Sequence, residues 1–381
     1  HTRFRNVTGV QTCALPICIM YRHFPKSAFR NPSAKWLDPT GGVGNFLIVA
    51  YLLLMDGLAK WQPNASARRR HIIDHMLYMV ELNSNNCASF RRVLGSKNVI
   101  CGDFLKADLN PQSFDYIVGN PPFQHHYETG NGGKSKLYEL ITLKAYTLLK
   151  MGGILSFVVP DSMFGGNRNS VYSLALNNSV PLINLNITEY FPGIQQPTCF
   201  FVLVKEGAKT DTVIESPTVE FRVTLKDRPI NPIREWTPFT ERLVQKYVGK
   251  RNLAIYNRGK SVSDYNSSGS VELLYTPTKR LKADPEESIG LGKKKAVLYV
   301  MSPTLDFEMD YTGSFGVGPN TMYIPFKNKK QGDAIQTFLS SSEYKTLALS
   351  TRTSRKYLKI ALIEHLKIPG LKTGLNTRKR I

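Results

Sequence analysis

The chain has 381 residues, 42% of them hydrophobic, with 50 Lys and Arg against 29 Asp and Glu and a formal net charge of +21. That length suits two domains and that apolar share supports packed cores, while the longest apolar run, Phe46 to Met55, is too short for a membrane-spanning helix. The charge is uneven: residues 221–381 hold 29 Lys and Arg against 14 Asp and Glu, the electrostatic footprint of a polyanion-binding surface.

The first 17 residues stand apart. Val7 to Ile17, Val-Thr-Gly-Val-Gln-Thr-Cys-Ala-Leu-Pro-Ile, reads as the translation of a sequencing adapter, and His1-Thr2-Arg3 fits the adapter's upstream part. Residues 1–17 are therefore expected to be foreign to the fold, with the natural N-terminus lying upstream of Cys18. Cys18, Cys87, Cys101 and Cys199 show no metal-ligand spacing, so no metal is expected. Nor do they suggest a disulfide framework, which points to a reduced, cytoplasmic setting.

From Lys35 to about Lys205 short apolar strands alternate with longer helical stretches, the pattern of a mostly parallel α/β sheet. Lys35–Leu37 is the first strand. Asp38-Pro39-Thr40-Gly41-Gly42-Val43-Gly44 follows and opens a helix over Gly44–Met55. Glycines there let the backbone turn sharply and come close to a ligand above the helix N-terminus. By itself such a turn is shared by many nucleotide and cofactor sites. The second strand, Leu77–Leu82, carries Glu81 near its end, where Rossmann-like sheets use a carboxylate to accept hydrogen bonds from ribose hydroxyls. Forty-three residues separate Asp38 from Glu81, more than the usual gap of about 20. A polar insertion, Asp56 to Asp74, with Arg68-Arg69-Arg70 inside it, accounts for the excess.

A helix over Asn85–Leu94 leads to a third strand, Val99–Gly102, after which Asp103 and Phe104 are placed to receive and flank an adenine ring. The fourth strand, Tyr116–Val118, runs into Asn120-Pro121-Pro122-Phe123. In open α/β sheets this position, just past a strand's carboxyl end, is where ligands bind. Two consecutive prolines hold the chain extended and donate no N–H. The Asn120 amide oxygen and the Pro121 carbonyl then form two acceptors on a stiff frame, suited to an exocyclic amino group, and Phe123 offers a face on which a base can stack.

Further on come a helix over Ser135–Lys150, a strand over Ile154–Val159, a helix over Asn169–Asn177, and strands at Leu182–Ile187 and Cys199–Val204. The link Thr188 to Thr198 is too short for a helical crossover, so the last two strands should be antiparallel. The result is a seven-stranded sheet with one reversed strand near its edge.

Taken together, Asp-Pro-x-x-Gly-x-Gly-x-Phe, a strand-end Glu, Asp-Phe and Asn-Pro-Pro-Phe resemble the ordered motifs of gamma-class S-adenosylmethionine-dependent DNA adenine-N6 methyltransferases, especially of restriction–modification and phage type. The segment Lys136 to Pro160 resembles the family's helix and fifth strand, and Pro197 to Lys205 its closing strand. The resemblance covers about residues 31–205. It implies a Rossmann-like class I methyltransferase domain over 18–207, a linker over 208–220 and a basic α+β target-recognition domain over 221–381. It also implies S-adenosylmethionine as cofactor, with the methionine end held by Asp38, Pro39, Thr40, Gly41, Gly42 and Gly44. Glu81 would hold the ribose, and Asp103 and Phe104 the adenine. Asn120, Pro121, Pro122 and Phe123 would hold the flipped target base, and a second aromatic wall would come from the Tyr190–Phe201 region. Double-stranded DNA is the implied partner, with a cognate restriction endonuclease or a fused nuclease domain and no membrane. The family usually has another cofactor element upstream of the glycine loop, and only Cys18 to Ala34 stands there in this chain.

Two other functions share these residues. A methyltransferase of the same fold can act on RNA bases or protein glutamine, and a catalytically dead remnant can retain DNA binding. The basic extension favours DNA. Within that extension the sequence yields only short pieces: apolar stretches at Val271–Tyr275, Ala296–Met301 and Thr321–Phe326, a helix over Gln331–Ser341 and a regular tail at Tyr357–Ile368, before the terminal basic run Arg378-Lys379-Arg380.

Overall fold

The computed structural model describes residues 11–123, 126–128, 134–165, 170–185, 187–190, 197–207, 211–225, 228–250, 255–256, 261–352 and 358–371. The chain forms two compact units. The first comprises residues 1–163 and 168–226, and the second comprises 164–167 and 227–381.

In chain order the first unit contains α1 (Gln11–Arg22), β1 (Trp36–Asp38), α2 (Asn45–Gly57), α3 (Ala65–His71), β2 (Leu77–Glu81), α4 (Ser84–Leu94), β3 (Val99–Cys101) and β4 (Phe114–Gly119). After these come β5 (His126–Glu128), β6 (Lys134–Lys136), α5 (Leu137–Leu148), β7 (Leu149–Pro160), α6 (Ser170–Leu176), β8 (Ser179–Asn184), β9 (Thr198–Val204), β10 (Thr212–Glu215) and β11 (Glu220–Val223). All but β5 and β6 join one sheet in the order β11-β10-β8-β9-β7-β4-β1-β2-β3. The strands β3, β2, β1, β4 and β7 run parallel, and β9 is antiparallel to both its neighbours, β7 and β8. The expected reversed strand is therefore present.

One expectation needs correction. The sheet has nine strands rather than seven, because β10 pairs parallel with β8 and β11 folds back antiparallel on β10. These strands lie in and across the end of the stretch read as a polar linker. Ile214 and Val223 are buried there, but each strand is only four residues long and set among polar residues, too short a run for sequence periodicity to reveal. The helix α1 starts within residues 1–17, and its Ile17 is buried in the core.

The expected helix over the apolar run becomes α2, with Phe46, Leu47, Val49, Ala50 and Leu54 buried. Its core also takes Met20 and Tyr21 from α1, Cys87 and Phe90 from α4, and Trp36, Met79, Val118, Val158 and Phe200 from the sheet. On the other face the alternate residues Leu37, Ile117 and Leu155 are buried, and α5 and α6 pack on β7 and β8. Asn83 caps α4 by accepting from the Asn85 N–H at 2.9 Å. Gly95, in the left-handed region, ends that helix by donating to the Arg91 carbonyl at 2.8 Å.

The second unit holds α7 (Pro238–Tyr247), β12 (Ile255–Tyr256), β13 (Val271–Thr276), β14 (Lys279–Ala283), β15 (Lys295–Tyr299), β16 (Phe307–Asp310), β17 (Gly316–Val317), β18 (Thr321–Pro325), α8 (Lys329–Ser340), α9 (Ser342–Ser350) and α10 (Ile360–His365). Its strands form a sheet ordered β12-β18-β15-β16 and another ordered β14-β13-β17. The helices α7 to α10 contribute Leu243, Ile335, Leu347 and Leu362 to a shared core with Ala296, Leu298 and Ile324. Lys295 and Asp310 form a buried ion pair at 2.6 Å. Asp310 also accepts backbone N–H bonds from Gly313 at 2.7 Å and Phe315 at 3.2 Å, so it organises the turn after β16. Among the described residues no helix of either unit is long and apolar enough to cross a membrane.

Candidate active site

The expected ligand residues converge on one edge of the first unit, the carboxyl ends of β1, β2, β3 and β4. Asp38 ends β1 and is fully buried. Its Oδ1 accepts from the Thr40 N–H at 3.1 Å, and its Oδ2 is buried with no hydrogen-bond partner among the described residues. Burial pushes its carboxyl up to about 7; the Thr40 N–H opposes this and the charge of Glu81 adds to it. Gly119 approaches closely from β4, where a Cβ would lie 2.8 Å from Asp38 Oδ1. The glycine before Asn120 thus has a steric reason that strand periodicity did not reveal. Tyr21 was also missed: it donates to the Phe46 carbonyl at 2.9 Å, and the charge of Asp38 helps raise its pKa, after burial itself. Its segment lies upstream of the glycine loop and carries no recognisable spacing.

The glycine loop is tied down at both ends. Gly41 donates to the Val80 carbonyl at 3.0 Å, and Gly44 donates to the Gly41 carbonyl at 2.7 Å. Gly44 has φ of 90°, and a Cβ there would fall 2.1 Å from the Phe90 ring, so both conformation and space demand glycine. The Gly42 N–H donates to Glu81 Oε2 at 2.7 Å. Glu81 Oε1 accepts from the Asn83 N–H at 2.8 Å. A single carboxylate therefore joins the loop after β1 to the start of α4.

Asp103 accepts from the Leu105 N–H at 2.9 Å. Phe104 is buried, and the Lys144 ammonium sits 5.2 Å from its ring centroid. Lys144 also donates to the Leu105 and Ala107 carbonyls at 3.0 and 2.6 Å, so α5 clamps the loop after β3. Past β4, Pro121 is buried and Pro122 half-buried. Asn120 Oδ1 is buried and has no partner among the described residues. Phe123 is half-buried and meets Tyr138 edge-on, with centroids 6.4 Å apart. Of the region expected to give a second aromatic wall, residues 191–196 lie outside the described residues, as do the terminal Arg378-Lys379-Arg380 and residues 208–210 of the expected linker.

The cysteine expectation also needs correction. Cys87 on α4 and Cys101 at the end of β3 are disulfide-paired, with Cα atoms 6.2 Å apart, while Cys18 and Cys199 are free. Their separation of 14 residues matched no familiar framework, yet α4 lies back along β3 and brings them together.

A mostly parallel sheet of this order, with a glycine turn and acidic strand ends at one edge, has the Rossmann-like fold of class I methyltransferases. Residues 65–186 match the model of the Eco57I restriction-modification methylase family. Over 138 residues the chain is 32% identical to a Mycoplasma pneumoniae protein described as an uncharacterized adenine-specific methylase, a match covering 34% of this chain and 32% of that protein. A nuclease-deletion mutant of the Type ISP restriction-modification enzyme LlaGI, solved with a DNA substrate mimic, superposes with a TM-score of 0.57 at 12% identity. It covers 94% of this chain and 53% of that one, and the likeness establishes the fold. The Type IIL restriction-modification enzyme MmeI in complex with DNA matches with a TM-score of 0.49 at 12% identity, over 92% of this chain and 65% of that one. The match thus spans about a third of the curated relative's length, and the chain about half of LlaGI.

Proposed function

We propose that the chain transfers a methyl group from S-adenosylmethionine to the N6 amino group of adenine in double-stranded DNA. The observation that carries this is the buried, unpartnered Oδ1 of Asn120 next to the Pro121 carbonyl, past β4. A buried acceptor without a donor is costly. A flipped base that presents an amino group supplies the missing donors.

The cofactor's fit rests on a second orphan, the buried Oδ2 of Asp38, which suits the ammonium of a methionine moiety. Asp38, Pro39, Thr40, Gly41, Gly42 and Gly44 would hold that end, Glu81 the ribose hydroxyls, and Asp103 with Phe104 the adenine. When bound, the cofactor supplies an electrophilic sulfonium methyl. Asn120 and Pro121 accept both N–H bonds of the target amino group, which makes its nitrogen more nucleophilic and disperses the positive charge that develops there. Pro122 stiffens the clamp and Phe123 offers a stacking face, so that orientation supplies a large part of the acceleration. The second unit, with its basic surplus, is the proposed target-recognition domain. The named similarity to restriction–modification methylases supports a nuclease partner, separate or fused.

Asn120→Ala tests the reading. Methyl transfer to DNA is expected to fall by at least about 10²-fold, with S-adenosylhomocysteine affinity little changed. Full activity in this variant, or transfer to RNA or protein but not to duplex DNA, would overturn it.

A further inference from the structure

The paired cysteines take no part in the proposed transfer, yet they lie directly behind the cofactor crevice. Cys101 pairs in register with Glu81 on the neighbouring strand and stands two residues before Asp103. The Cys87 sulfur lies 3.4 Å from the Glu81 carbonyl oxygen. The helix that carries Cys87 also supplies the Phe90 ring against which Gly44 packs, and its capping residue Asn83 donates its N–H to the Glu81 carboxylate. Thus α4 forms one wall behind the glycine loop, Glu81 and the strand end that leads to Asp103. A bond from Cys87 to Cys101 fastens that wall to β3.

Access is asymmetric, since Cys87 is fully buried and Cys101 is exposed. An exposed thiol can meet a reagent, whereas a buried one reacts only with what its neighbour brings to it. The Cα separation of 6.2 Å falls within the span that a disulfide bridges without backbone movement.

We propose that Cys87 and Cys101 form a reversible thiol–disulfide site whose oxidation tightens the cofactor crevice. The oxidant is a low-molecular-weight disulfide. The Cys101 thiolate attacks one of its sulfurs, forming a mixed disulfide and releasing one small thiol. The Cys87 thiolate then displaces the second small thiol, closing the protein disulfide. Two protein thiols are oxidised by two electrons, the small disulfide is reduced, and the protons pass to the departing thiols. The closed bridge limits the motion of α4 against β3, so a ligand held by Glu81 and Asp103 meets a crevice with less left to order. This coupling rests on the cofactor reading of the crevice.

The full chain would be equilibrated in glutathione buffers of graded disulfide-to-thiol ratio. Alkylation with mass spectrometry reads the linkage, and calorimetry reads S-adenosylhomocysteine affinity. Oxidation is expected to link the Cys87 and Cys101 peptides, raise the melting temperature and tighten binding several-fold. Cys101→Ser should abolish all three responses while leaving binding at the reduced level. Absence of the linkage at every ratio, or linkage with unchanged affinity, would overturn the proposal. No binding in either redox state would overturn the methyltransferase reading instead, because linkage and melting shift report on the thiol chemistry by themselves.

Discussion

Asp38 shows how one buried carboxyl converts packing into pH dependence. Its ordinary value of 3.8 is raised to about 7, chiefly by burial. The folded protein therefore keeps a proton that the unfolded chain has already released. That contribution to stability is fully present below the unfolded value and is lost as pH rises through about 7. In the ligand-free protein, the advantage of the wild type over Asp38→Asn in melting temperature should shrink between about pH 5 and pH 8. A flat difference across that window would show that the carboxyl is ionised throughout. A bound ammonium favours the ionised form, so S-adenosylmethionine affinity should rise over the same range, and titration calorimetry in buffers of different ionisation enthalpy would detect the released proton. The sequence placed Asp38, Glu81, Asp103 and Asn120 at strand ends because the strands around them are apolar and these polar residues interrupt that pattern. It could not show that Glu81 bonds to Gly42 across 39 residues, since a hydrogen bond between loops leaves no periodic trace.

At the level of elements, the order of the sheet strands and of most helices from Trp36 to Val204 was legible; α3, inside the stretch read as a polar insertion, and the short β5–β6 pair were not. Each buried strand is a short apolar run set off by turn residues, and the helices between them alternate regularly with it. In the second unit only pieces were legible: the apolar stretches fall on β13, β15 and β18 and the expected helix on α8, whereas β12, β14, β16 and β17 are two to five residues long with too few apolar residues to stand out. Its Lys295–Asp310 pair is a case in point: two charged residues in strand-like segments ordinarily face water, yet both are buried here. Asp310→Ala would leave the Lys295 ammonium buried and the turn N–H groups of Gly313 and Phe315 unpaired. Such breakage should cost about 3–5 kcal/mol, measurable as a lower denaturant midpoint for the second unit. Little change there would mean that water or another acceptor takes over the role.

On the scale of the whole molecule, charge divides unevenly along the chain. The surplus of Lys and Arg over residues 221–381 predicts that duplex DNA binding is driven by release of counterions from the phosphate backbone. Affinity for a duplex should then fall by about 10³-fold or more between about 50 and 200 mM salt, as read by fluorescence anisotropy. A shallow salt dependence would contradict a phosphate-contacting role for the second unit.

The reversed strand β9 has a consequence for how the chain is made. On the ribosome, β8 emerges before β9, yet in the finished sheet β8 borders only β9 and β10, both synthesised later. It has no native sheet partner when it appears, and β7 meanwhile presents an open edge. The parallel core from β3 to β7 is free to form first, and the gap beside it closes only after Thr198–Val204 has been translated and threaded between two waiting strands. During that interval, at ~5–20 residues per second, the apolar edge of β7 is exposed to mispairing. Slow translation before residue 198 should therefore lower soluble yield more than the same delay placed after residue 204.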